Sequence, residues 1–310
     1  MVTGAPKRLS RIVSLASAMT LGLAAIMPTS TMAAAYASPQ PPASHWITST
    51  NYRYPGNDGK HHAVSWDKYS YMIDDHHLNI WSGEVHYWRL PSPHQWRDVL
   101  QKMKAAGFNA VSFYFFWGYH QSAPDSPFDF SGIRNIDLLL RMAAEEGLYV
   151  IARPGPYINA EISMGGMPAW QTNSSLPLRN AWDNTNWQQQ RAWLHAVNKI
   201  IARHQVTNGG GSVLLYQVEN EELASVGPYA DYVKKIIKAA KEDGINVPIF
   251  HNDYAPVGNS AFTTKDTGLD VYSYDDYPIR FDCSATRHKL QDHKWHIDPA
   301  FRAAHHSPHF

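Results

Sequence analysis

The sequence predicts an α/β fold, an incomplete (β/α)8 barrel with about six of eight strands. Three observations predict it. Apolar stripes at helical spacing are each closed by a glycine and followed by an unbroken apolar run, and this unit recurs along the chain. Polar and aromatic groups collect at the C-terminal ends of five of the runs: Glu84 and His86, Tyr114, Asn159 and Glu161, Glu219 to Glu221, and Asp275 to Tyr277. That spread suits a barrel, which builds its site from many strand ends. Finally, the cluster Gly209-Gly210-Gly211 precedes a strand, whereas a dinucleotide-binding sheet needs its glycines just after one.

The elements follow in order. HLNIWSGEVHYW (78–88) reads as the first strand. Trp96, Val99, Leu100, Met103 and Ala106 make one helix face, with Ser92 to cap it and Gly107 to end it. AVSFYF (110–115) is apolar throughout, as a strand buried on both faces should be. Ile133, Ile136, Leu139, Leu140 and Ala143 form the next helix face, Gly147 stops it, and YVIAR (149–153) is the third strand. A helix at about 187–204 leads to SVLLYQVE (212–219). Tyr232, Val233, Ile236, Ile237 and Ala240 mark the fourth helix, followed by VPIFHN (247–252) and DVYSYDDY (270–277).

Composition narrows the function. Lys+Arg and Asp+Glu are both 27 in 310 residues, and no basic tract stands out, which argues against a nucleic-acid partner held by phosphate contacts. Lys7, Arg8 and Arg11 precede an apolar stretch at 12–27 and then small residues. This pattern predicts a secretion signal over 1–38 and a Pro- and Gly-rich linker over 39–60, ahead of the partial (β/α)8 domain over 61–310, which the family resemblance below implies to be catalytic. The expected mature protein is secreted, with no membrane segment. The 17 His include adjacent pairs, but neighbours on a strand point to opposite faces and no HExxH occurs, so no metal is expected.

The chemistry centres on LLYQVENEEL (214–223), where an apolar strand runs into three carboxylates. Strict alternation would set Gln217, Glu219 and Glu221 on one side and Val218 and Asn220 on the other. Buried carboxylates are costly unless partnered, so this ending invites a functional reading. Glu222 is expected only to open an exposed loop. A second polar set, Asn159 and Glu161, follows the third strand in GPYINAE (155–161). Two carboxylates at neighbouring strand tips suit glycoside hydrolysis, in which one acts as acid/base and the other as nucleophile.

QVENE, RPGPYINAE followed by GGMPAW, and SGEVHYWRLPSP together resemble glycoside hydrolase family 35, the β-galactosidases of the secreted, multidomain microbial type. The resemblance covers about 60–283 and more loosely reaches 310. It implies a (β/α)8 barrel, retaining double-displacement chemistry on terminal β-galactosides of oligo- or polysaccharides, and no cofactor. It makes Glu221 the acid/base and Asn220 the contact to the sugar 2-hydroxyl. Asn159, Ala160 and Glu161 match a sugar-binding triplet, and Tyr114 and Tyr277 match sugar-contacting tyrosines. The nucleophile implied by the family is a Glu in an E-F-Q-G-G or E-W-Q-G-G motif on a seventh strand. Residues 278–310 contain no Glu. The expectation is therefore a chain incomplete for catalysis, with a non-catalytic galactoside-binding remnant as the alternative. The resemblance also implies that the lone Cys283 has its disulfide partner beyond the nucleophile.

Overall fold

The computed structural model describes residues 58–67, 69–173, 178–182, 184–222, 227–254 and 268–275. Tyr277, Cys283 and the other residues of 276–310 lie outside them.

Two sheets are built. A small antiparallel one orders β1 (Val64–Trp66), β2 (Tyr71–Ile73) and β3 (His76–Leu78). The second is parallel and runs in chain order through β4 (Ser82–Val85), β5 (Ala110–Tyr114), β6 (Tyr149–Arg153), β7 (Val213–Gln217), β8 (Ile249–Asp253) and β9 (Val271–Tyr274). A doubly wound sheet reverses its strand order at a switch point. Here the order never reverses, so the six strands form an arc of a (β/α)8 barrel. All six predicted barrel strands are present. The small sheet was not foreseen, and the predicted first strand had absorbed Leu78, which instead ends β3.

Local chemistry explains the helices. In α1 (Pro93–Ala105) the Ser92 side chain accepts a hydrogen bond from the Gln95 amide, and Pro93 occupies the first turn, where its missing N–H costs nothing. After the one-turn α2 (Trp117–His120), Asn135 caps α3 (Ile136–Glu145) by accepting from the Leu138 amide at 2.9 Å. Ile133 does not join that helix face. It lies in a 3-10 turn ahead of the cap and is exposed. Gly107 and Gly147 take φ of 94° and 71°, the left-handed values that end a helix and favour glycine. The helices α4 (Asn184–Arg203) and α5 (Gly227–Glu242) flank β7 in sequence.

β5, β7 and β8 are buried along their whole length, because helices cover one side and the barrel interior covers the other. Trp96, Trp117 and Trp193 are fully buried in the same core. Trp193 stacks on Trp117 and gives its indole N–H to the Pro154 carbonyl at 2.9 Å, so its polar atom is satisfied. Trp193 thereby ties α4 to the end of β6.

Candidate active site

A cavity of about 340 Å³ opens on the inner face of the arc. Glu84, Arg153, Gln217, Asn252 and Asp275 line it from five different strands or their tips, and Tyr71 of β2 reaches it as well. Ser112 Oγ and Arg153 Nε are buried without a partner among the described residues, and both residues line this cavity.

Arg153 organises one side. Its guanidinium bridges Glu84 Oε1 at 2.5 Å and Asn220 Oδ1 at 2.9 Å. It also lies 3.9 Å from the centre of the Tyr114 ring, whose hydroxyl donates to the same Glu84 oxygen at 2.9 Å. Tyr114 and Asn220 therefore belong to one network. A planar, doubly donating cation at the strand end is what joins them.

Beyond β7 the chain leaves extended geometry. Glu219 and Glu221 have φ of 58° and 51°, so the predicted alternation stops at Gln217. Glu219 is fully buried and receives hydrogen bonds from Arg179 through two nitrogens. Burial pushes its carboxyl up, and the Arg179 charge opposes that. Arg179 also donates to the Asn220 carbonyl and lies 2.9 Å from Glu222. The expected exposed role of Glu222 is thus overturned: it is 7% exposed because Arg179 draws it inward. The two ring nitrogens of the buried His251 lie 2.8 and 2.9 Å from the Val218 and Glu222 carbonyl oxygens and brace the same turn.

Glu221 is held differently. It is half-buried, and its carboxyl hydrogen-bonds to Asp275. Burial, then the hydrogen bond and charge of Asp275, push it up to about 7, against the pull of Arg179 and Arg153. A carboxyl protonated near neutral pH can act as a general acid.

The loop after β6 carries the second set. Asn159, Ala160 and Glu161 have φ of 54°, 51° and 48°, three successive left-handed residues. Of the eight non-glycine residues with positive φ among those described, six lie in the two loops after β6 and β7. Strain of this kind gathers where a site needs a backbone that ordinary turns do not supply. Arg89 donates to the Ala160 carbonyl at 3.1 Å, and Ala160 packs with Tyr114 and Ile158. Glu161 is exposed and carries enough charge near His86 to act on it.

Comparison with known proteins decides the family. The model for Glycosyl hydrolases family 35 matches residues 70–307. The chain belongs to that family. Probable beta-galactosidase C of Aspergillus clavatus is 44% identical over 235 residues, covering 73% of this chain and 24% of that protein. The protein of the same name from Penicillium rubens is 38% identical over 250 residues, covering 78% and 25%. The family 35 chain thus spans about a quarter of the length of these curated relatives. Among solved structures, a GH5_18 variant from Streptomyces cattleya in complex with Manb1-4GlcNAc shares the fold with TM-score 0.51 and 16% identity, over 64% of this chain and 52% of that one. The exo-beta-1,4-mannosidase Op5Man5 from Opitutaceae bacterium strain TAV5 does so with TM-score 0.50 and 15% identity, over 66% and 39%.

Several members of the constellation were missed from sequence. Glu84 and Asp275 were noticed as strand-end groups without a role. Arg153, Arg179 and Asn252 were not singled out. Arg153 and Asn252 end predicted strands, so the strand-tip criterion applied to every polar side chain would have found them. Arg179 lies in a loop, and no local signal marks it.

Proposed function

We propose that the protein, as its source organism makes it, is a secreted retaining glycosidase that hydrolyses terminal β-galactosides. The observation that carries this reading is Glu221: a half-buried carboxyl pushed up to about 7, at the tip of the fourth barrel strand, next to Asn220. Glu221 protonates the departing oxygen as the nucleophile, a seventh-strand Glu that the family implies and that residues 278–310 do not supply, bonds to the anomeric carbon; Glu221 then takes a proton from water when the galactosyl-enzyme is hydrolysed. Asn220, whose Oδ1 accepts from Arg153, hydrogen-bonds the sugar 2-hydroxyl in this scheme, a contact that tightens as positive charge develops on the ring. Tyr114, Asn159, Ala160, Glu161 and Tyr277 contact the sugar. Ser112 Oγ and Arg153 Nε offer buried hydrogen-bonding capacity that sugar hydroxyls can use.

Asp275 is not the nucleophile in this scheme. It hydrogen-bonds to Glu221, whereas a retaining pair stands about 5 Å apart. Secretion is supported by the basic start and the apolar stretch at 12–27. Among the described residues no helix is long and apolar enough to cross a membrane.

Glu221→Ala assayed with azide tests the acid/base role. Hydrolysis of methyl β-galactoside should fall by about 10²- to 10⁴-fold. Azide needs no base, so with an activated aryl galactoside it should restore turnover and yield β-galactosyl azide. An α-azide product would instead make Glu221 the nucleophile and sink the assignment.

A further inference from the structure

Asn252, at the end of β8, is 3% exposed and has spent its whole hydrogen-bonding capacity. A carboxamide has two N–H donors and an oxygen with two lone pairs. Nδ2 of Asn252 donates to Asp275 Oδ2 at 2.9 Å and to Asn220 Oδ1 at 3.3 Å. Oδ1 accepts from Gln217 Nε2 at 2.7 Å and from the Glu221 amide at 3.4 Å. The orientation is forced by the neighbours. Gln217 Nε2 also donates to the Glu219 carbonyl, so it is a nitrogen, and Asn220 Oδ1 accepts from Arg153, so it is an oxygen. Flipping Asn252 would set donors against donors and acceptors against acceptors. One side chain therefore ties the left-handed turn after β7 to the tips of β8 and β9.

We propose that Asn252 is a positioning residue for acid catalysis: it aligns Glu221 and Asn220 with Asp275, and it has no hydrogen bond left to offer a substrate. The inference rests on the reading of Glu221 as the acid/base. Its signature is selectivity for the leaving group. A methoxide leaving group needs a well-aimed proton, whereas a dinitrophenolate leaves without one.

The experiment compares kcat/KM for methyl and dinitrophenyl β-galactosides in Asn252→Ala, Asn252→Ser and Glu221→Gln, all in the protein as its source organism makes it. Asn252→Ala should lose roughly 100-fold on the methyl substrate and less than about tenfold on the dinitrophenyl one. Asn252→Ser is smaller, adds no charge and has one hydroxyl that can donate to Asp275 or accept from Gln217. It guards against misfolding and should show the same asymmetry, more weakly. Equal losses on both substrates in a folded variant would mean a purely structural role and overturn the proposal. Glu221→Gln separates the two failures. If it shows the asymmetry and neither Asn252 variant does, the positioning claim falls alone. If it lacks the asymmetry, the acid assignment falls and the positioning claim falls with it.

Discussion

Two loops leave the barrel mouth side by side in left-handed geometry, yet they are secured by different means. The turn after β7 is clamped by side chains. Arg179 holds Glu219 and Glu222, Asn252 holds Asn220 and the Glu221 amide, and His251 faces the carbonyls on either side. The turn after β6 is tied through its backbone, by Arg89 on the Ala160 carbonyl and by Ile158 N–H on the Gly165 carbonyl, and Glu161 stays exposed. The difference matches the proposed division of labour. A group that must hold a proton near neutral pH needs a fixed setting partly withdrawn from water. A group that only offers hydrogen bonds to a ligand can wait in water.

The comparison can be broken most strongly at the clamp. Glu219→Ala leaves Arg179 without its main buried partner and should cost about 3–5 kcal/mol in urea unfolding, with Glu219→Gln less damaging. A loss below about 1 kcal/mol would show that Arg179 does not hold the turn. Arg153→Lys gives up the forked contact to Glu84 and Asn220. It should cost about 1.5–3 kcal/mol of galactose binding free energy by calorimetry.

The pH dependence sharpens the same contrast. The Glu221 carboxyl is raised from 4.5 to about 7, so folding favours its protonated form. Its contribution to stability is complete below about pH 4.5 and is lost as pH rises toward 7. The melting temperature of Glu221→Gln relative to the parent should therefore rise between those values. The shift is modest because the half-exposed group is screened by solvent. A flat difference would mean that Glu221 titrates as an ordinary surface carboxylate. The smallest effect belongs to the other loop: Glu161→Gly removes a side chain from φ of 48° and should stabilise by about 0.5–1 kcal/mol while weakening galactose binding.

Much of this was legible in advance. The barrel strands could be placed because parallel strands buried on both faces read as apolar runs, and glycines mark the helix ends. Glu221 was singled out because a carboxylate directly after such a run needs a reason, and Asn220 only through the family resemblance. The small sheet was missed because three-residue strands carry too little periodicity to see. Glu222 was misjudged because its burial depends on Arg179, 43 residues earlier in the chain. Asn252 looked like any strand-end amide until its four partners were assembled around it.

The sequence by itself determined the period of the elements and the residue types at the strand tips, because burial and capping act over a few neighbouring residues. Only the tertiary structure decided which carboxyl is paired with arginine and which lies against a second carboxyl. That choice depends on distances between side chains from different strands and loops, and no local pattern encodes them.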